Sequence, residues 1–415
     1  MNASDTSGGG GRIFFLALAA AMGGFLFGYD TAVINGGEQQ IQSVWSLTPF
    51  IHGLVMSSAL WGTIIGAVCG GRVCDGIGRK PTLFWVGVLY FASAVWSAFA
   101  AGPWDLMVAR FIGGLGVGAS SIAAPVYIAE ISPPERRGQL GGLFQFNIVF
   151  GMVVSQFVNW GIGSAGLGEA TWRWMLGAEA VPALAFTLVT LFISESPRWL
   201  EMRGESRFRV TSSVFFCRAN MRPILLAFCV AMFNQLSGIN AMMYFAKRVF
   251  EMAGFTPQVA LGTAAGMSVV LGLGTFAGLF LIDHLGRRTL LIIGSVGCIA
   301  AHFAAAAAFM FDLGVLAAVC IFQFIVFFAV GQGVVIWVFI SEIFPQKFRA
   351  QGQSWGSFTH WSFCAALTFV FPAMAASWVP SSIFAFFGVC LCAHLAWAIF
   401  ICPETKGKSL EEFER

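Results

Sequence analysis

Twelve apolar stretches, each near the ~20 residues an α-helix needs to cross bilayer hydrocarbon, leave this chain little choice of fold. They are read at 13–35, 50–71, 82–100, 104–127, 140–162, 174–194, 223–246, 258–282, 289–311, 314–341, 352–376 and 381–402. Hydrophobic residues make up 58% of the chain and charged residues 10%, against about 45–50% and about 25% in soluble domains. A soluble fold of 415 residues has no place to hide that much apolar surface. Lipid must cover much of it, and an all-α membrane protein is expected.

The charges orient the spans. With the first loop, around Glu38 to Ser46, placed outside, only Arg110 of the 23 Lys and Arg residues falls inside a stretch. Only Arg173, Lys247 and Arg248 fall in outer loops. The rest share one side with both termini, which fixes those termini as cytoplasmic; the plasma (inner) membrane is the expected location. A net charge of +3 gives no reason to expect a nucleic-acid partner. The Gly/Ser-rich Met1–Gly11 lacks a basic n-region and a clear cleavage site, so the first stretch is expected to be retained. Most of the ten Cys lie in stretches without zinc-type spacing and read as small packing residues. No metal or other cofactor is implied.

The few polar signatures are written twice. Asp75-Gly-Ile-Gly-Arg79-Lys80 returns 208 residues later as Asp283-His-Leu-Gly-Arg287-Arg288. Glu130-Ile-Ser-Pro-Pro-Glu-Arg-Arg137 returns 212 residues later as Glu342-Ile-Phe-Pro-Gln-Lys-Phe-Arg349. Glu195-Ser-Pro-Arg198 is echoed 209 residues later by Glu404-Thr-Lys406. Three signatures in one order at nearly one spacing argue for a duplicated half-molecule, and parallel repeats are a transporter architecture. Two pseudo-symmetric six-helix bundles are expected, at 13–200 and 223–402, with a cytoplasmic N-terminus at 1–12, a short linker at 201–222 and a tail at 403–415. Gly62, Gly66 and Gly70 in the second stretch, with Gly114 and Gly118 in the fourth, repeat every fourth residue and mark close helix contacts.

In order along the chain stand Phe27-Gly-Tyr-Asp30, Asp75 to Lys80, Arg110-Phe-Ile-Gly-Gly, Pro125-Val-Tyr-Ile-Ala-Glu130, Glu195-Ser-Pro-Arg-Trp-Leu200, Gln235-Leu-Ser-Gly-Ile-Asn240, Trp337 to Pro345 and Pro403-Glu-Thr-Lys-Gly-Lys408. This ordered set resembles the sugar porters of the major facilitator superfamily, and the bacterial proton-coupled xylose and glucose symporters within it. The resemblance implies alternating access of a monosaccharide (hexose, pentose or polyol), driven by proton symport. A passive uniporter and a non-transporting sugar sensor of the same fold are the alternatives. A monomer is expected. No nucleophile triad, metal cluster or phosphate loop appears, and Asp75 to Lys80 lacks Walker spacing, so the chain does not read as an enzyme.

Polar side chains inside spans are expensive and face a cavity or one another. Gln145, Asn234, Gln235, Asn240 and His360 are the uncharged candidates, and amides both donate and accept, which suits a ligand made of hydroxyls. Trp337 can cover the C–H face of a sugar ring while its indole N–H donates. The resemblance places Gln145, Gln235, Asn240 and Trp337 at the sugar site, and Phe27 joins them from the first-span motif. Interhelical hydrogen bonding, at about 0.6–2 kcal/mol per contact, is the competing use. Asn234 stands where relatives carry a second Gln, His360 where they carry Gln or Asn, and Leu271 where an Asn is often found. Gly331-Gln-Gly-Val-Val-Ile-Trp337 lacks the prolines of relatives, so bending there must rest on Gly331 and Gly333.

Asp30 and Arg110 are opposite charges inside spans. Together they neutralise one another, and separation lets Asp30 take up a proton. That role in coupling is what the resemblance implies, with a permanent structural ion pair as the other reading. The doubled signatures read as a cytoplasmic gate: Glu130 with Asp75, Arg79, Arg137 and Glu195, and Glu342 with Asp283, Arg287, Arg349 and Glu404. Positive-inside orientation is the competing use of these Lys and Arg residues. The linker is shorter than in most sugar porters, and Val214-Phe-Phe-Cys217 is an odd apolar run for a cytoplasmic loop.

Overall fold

The computed structural model describes residues 6–133, 136–202, 215–345 and 348–406, without the side chains of 6–10, 137–139, 202, 219 and 349–350. Twelve helices in it are long and apolar enough to cross a membrane: α1 (Gly11–Val44), α2 (Pro49–Ile77), α3 (Arg79–Phe99), α4 (Pro103–Ile131), α5 (Leu140–Ser164), α6 (Gly168–Phe192), α7 (Met221–Tyr244), α8 (Pro257–Leu285), α9 (Arg287–Met310), α10 (Gly314–Ile343), α11 (Gln351–Ser377) and α12 (Pro380–Phe400). The described residues contain no strand. This is a multi-pass, all-α membrane protein.

The chain divides into two compact units. The first holds Met1–Ser46 and Leu54–Arg207, the second Leu47–Gly53 and Phe208–Arg415. In the first, Leu26, Leu83, Tyr90, Tyr127 and Phe186 build the core. In the second, Leu290, Val335, Phe339, Phe344 and Ala398 do the same. Outward faces keep large apolar side chains such as Phe99, Phe192, Phe280 and Phe400, which only a hydrocarbon surround tolerates in such number.

Local chemistry sets where helices begin and turn. Proline leads α2, α4, α8 and α12, where its missing N–H costs nothing. The turn from α2 to α3 is made by Gly78 (φ 106°, ψ 167°), and that from α8 to α9 by Gly286 (φ 89°, ψ 163°). Both conformations belong almost solely to glycine. Neither position has room for a side chain: a Cβ on Gly78 would overlap the Glu195 carboxylate, and one on Gly286 would lie 2.6 Å from Glu404 Oε2. The small-residue stripes meet as well, with Gly62 against the Phe111 carbonyl and Gly118 against that of Thr63, so α2 and α4 touch backbone to backbone.

Three spans are interrupted, each where a polar side chain is placed. The regular helix of α6 breaks at Glu179. In α7 the helix stops at Leu236 and restarts at Ile239 after Gly238 in the left-handed region (φ 86°); the Ser237 carbonyl there faces His302 Nε2 at 3.0 Å. In α10 a π-helical turn occupies Ala329–Gly333. A wide turn is another way to bend a helix that lacks proline, and it contains both Gly331 and Gly333.

Phe215 of the linker is 3% exposed. It stacks on Phe344 at 5.7 Å and meets Phe348 edge-on at 6.2 Å, while Phe216 packs on Trp355. The apolar run that looked out of place in a cytoplasmic loop therefore belongs in part to the second unit's core. Val214 lies outside the described residues.

Candidate functional site

Within the first unit, Asp30 of α1, Arg110 of α4 and Glu179 of α6 are each 2% exposed. Arg110 Nη1 donates to Asp30 Oδ1 at 2.5 Å, and Nη2 donates to the Asp30 main-chain oxygen at 3.0 Å. Glu179 is thus a second buried acid in the same unit, within electrostatic reach of Asp30 and Arg110. With all three groups ionised, two acids and one base would leave an unpaired buried charge, which is costly. The charges balance when Glu179 is neutral. Glu179 was missed from the sequence; its signal was an acid with no basic neighbour inside the stretch 174–194. Gln145 and Phe27, also in this unit, are half-buried on α5 and α1.

The second unit gathers the amides. On an unbroken helix, five residues at ~100° each would set Gln235 and Asn240 on different faces. The break at Gly238 lets Asn240 Nδ2 donate to Gln235 Oε1 at 2.6 Å. Gln235 Nε2 donates to Asn234 Oδ1 at 3.1 Å and lies 3.1 Å from both ring nitrogens of His360. Asn234 Nδ2 donates to the Gln332 main-chain oxygen at 3.3 Å. The Trp337 and His360 ring centroids are 5.0 Å apart. Asn234, Gln235, Asn240, His360 and Trp337 are thus neighbours, joined by Gln332, whose Nε2 lies 3.0 Å from His394 Nδ1. Neither Gln332 nor His394 stood out in the sequence, since an uncharged polar residue in a span carries no marker of its own.

At the helix ends each unit repeats one network. Arg79 holds Glu130 through two parallel bonds (Nε–Oε2 2.9 Å, Nη2–Oε1 2.7 Å) and Asp75 through Nη1 at 3.2 Å. Arg287 holds Glu342 in the same way (3.0 and 2.7 Å) and Asp283 at 3.2 Å. Glu195 accepts from the main-chain N–H groups of Arg79 and Lys80 at 3.0 and 3.2 Å. Glu404 does so from Arg287 and Arg288 at 2.9 and 3.1 Å. Each carboxylate therefore caps the N-terminus of a span, where the helix dipole favours negative charge. Burial raises the Glu404 carboxyl, but N–H donation from Lys406, Arg287, Thr405 and Arg288 outweighs it and holds the group below its ordinary value. Ser196 Oγ donates to Glu130 and Thr405 Oγ1 to Glu342, both at 2.6 Å. These hydroxyls also went unnoticed in the sequence. The side chains of Arg137 and Arg349 lie outside the described residues.

Comparison with known proteins agrees with this picture over nearly the whole chain. The family described as "Sugar (and other) transporter" matches residues 16–214 and 205–415. The arabinose-proton symporter of Bacillus subtilis is 33% identical over 440 residues, covering 98% of this chain and 95% of the relative. The D-xylose-proton symporter of Escherichia coli is 31% identical over 467 residues, covering 97% and 95%. A crystal structure of a D-xylose-proton symporter superposes with a TM-score of 0.86 at 30% identity, covering 96% of this chain and 100% of that one. Twelve apolar spans, a doubled set of capped ion pairs and these matches place the chain in one family: it is a sugar porter of the major facilitator superfamily.

Proposed function

We propose that the protein carries a monosaccharide together with a proton across the plasma (inner) membrane by alternating access, as a monomer with both termini cytoplasmic. Relatives named as arabinose and xylose proton symporters support the substrate class. The observation that carries the coupling is the buried Asp30–Arg110 ion pair, with a second buried acid, Glu179, in the same unit. When Asp30 and Arg110 are together, Glu179 is the neutral acid of the group. When they part, Asp30 is left without its cation and takes a proton itself, since an isolated buried carboxylate is costly.

Gln235, Asn240, His360 and Trp337 serve the sugar, and Gln145 and Phe27 are proposed for it on the resemblance alone. Amides and imidazole exchange hydrogen bonds with hydroxyls, and the indole covers the C–H face. The two end networks act as a cytoplasmic gate, holding helix ends together in one state of the cycle. In this reading the halves are 13–200 and 223–402, joined by 201–222.

Proteoliposomes test the reading. Gln235→Ala abolishes saturable sugar counterflow while the protein remains folded. Asp30→Asn keeps counterflow and loses accumulation against a gradient. Accumulation by Asp30→Asn would remove the proton carrier, and wild-type uptake without proton movement would make the protein a uniporter.

A further inference from the structure

Gln235 is held from three sides, and the direction of its hydrogen bonds follows from one atom of fixed character. The Gln332 main-chain oxygen can only accept, so Asn234 turns its Nδ2 toward it (3.3 Å). That leaves Asn234 Oδ1 facing Gln235, where it must accept from Gln235 Nε2 (3.1 Å). The other hydrogen of Nε2 points to His360 (3.1 Å). Gln235 Oε1 is left toward Asn240, which donates to it (2.6 Å). An amide has two N–H donors and two acceptor lone pairs. Both donors of Gln235 are spent inside the protein, and one lone pair of Oε1 remains.

The reference carbonyl is itself held. It belongs to the π-helical turn Ala329–Gly333, and the Gln332 side chain lies between Ser295 of α9 (Nε2–Oγ 3.4 Å) and His394 of α12 (3.0 Å). Gln332 is 1% exposed and Asn234 4%, so water does not compete for these bonds.

We infer that Asn234, fixed by the Gln332 carbonyl, is a positioning residue that locks Gln235 so that one lone pair of its oxygen is the hydrogen-bonding capacity left for substrate. The inference rests on Gln235 being a sugar contact. It assigns specificity: the hydroxyl that meets Gln235 must donate, and a substituent that only accepts is rejected there. Asn234 acts from behind the site and does not touch the sugar.

Sugar analogues separate donation from acceptance, because a C–F group accepts weakly and donates nothing, while C–H does neither. Full-length protein in proteoliposomes is assayed for inhibition of labelled-sugar counterflow by mono-deoxy and mono-fluoro analogues at each hydroxyl-bearing carbon. In wild type, the position meeting Gln235 loses about fivefold to tenfold in affinity for both analogues alike, the value of one hydrogen bond. In Asn234→Leu the Gln235 amide is free to turn and present N–H. The fluoro analogue at that position then regains affinity over the deoxy analogue, while sugar KM rises more than kcat falls.

A structural role for Asn234 would lower protein yield or rate without altering the fluoro-to-deoxy ratio. Wild-type discrimination in favour of fluorine at every position overturns the inference, as does an Asn234→Leu ratio equal to that of wild type. Absence of saturable counterflow for every pentose and hexose tried overturns the sugar site itself, and the inference with it.

Discussion

Asp30 and Arg110 stood out in the sequence because each is a charge inside an apolar run, and the structure joins them at 2.5 Å. Glu179 did not, because the residues around it contain no partner; its partners are spans away in sequence. Its consequence is testable. With Glu179→Gln the Asp30–Arg110 pair is balanced without a proton on residue 179, so sugar accumulation driven by a proton gradient falls at least about tenfold while counterflow persists. The measurement is the ratio of uphill uptake to counterflow in the same vesicles, and an unchanged ratio rejects a part for Glu179 in coupling. Residue chemistry was therefore legible where charge met hydrocarbon. It was illegible where orientation mattered: Asn234 and Gln332 are ordinary polar letters until the bond from Asn234 Nδ2 to the Gln332 carbonyl gives them direction.

At the scale of elements, the doubled Asp-x-x-Gly-Arg signatures predicted that something recurs, but not the caps that the structure shows. Glu195 and Glu404, distant in sequence, each close the N-terminus of a span beside a glycine of positive φ. Gly78→Ala and Gly286→Ala each force a side chain into a conformation that costs about 1–3 kcal/mol and push against that carboxylate. Both variants are expected to melt at lower temperature in detergent, read by thermal unfolding.

The cap also has a pH signature. A carboxyl held below its ordinary value in the folded state contributes stability that is present above the unfolded pKa and is lost as pH falls through the folded one. The Tm difference between wild type and Glu404→Gln should stay constant from about pH 8 to about pH 5 and shrink only below about pH 4.5. A difference that already closes by neutral pH would show that the backbone donors do not hold this carboxylate. Interruptions within spans were the least legible elements. Gly238 re-aims Asn240, and a wide turn interrupts α10 at Ala329–Gly333; apolar periodicity says nothing of either.

For the whole molecule, length, hydropathy and the doubled signatures were enough to give twelve spans, since lipid imposes one helix length on every crossing. The linker was harder to read, because Phe215 is buried by Phe344, just past the end of α10, and by Phe348, more than a hundred positions later. The Arg79–Glu130 and Arg287–Glu342 networks share no partner among the described residues. Effects at sites without shared partners add within about 0.3–0.5 kcal/mol, so Glu130→Gln and Glu342→Gln should lower thermal stability additively. A double variant departing well beyond that margin would reveal communication between the two ends.

The recurrence of one glycine-and-glutamate corner at Gly78 and Gly286 gives the experimenter a matched pair within a single polypeptide. Identical lesions can be made at both corners in the same preparation. Since the local damage is alike, any disparity in turnover between the twins measures how unequally the transport cycle leans on its two halves.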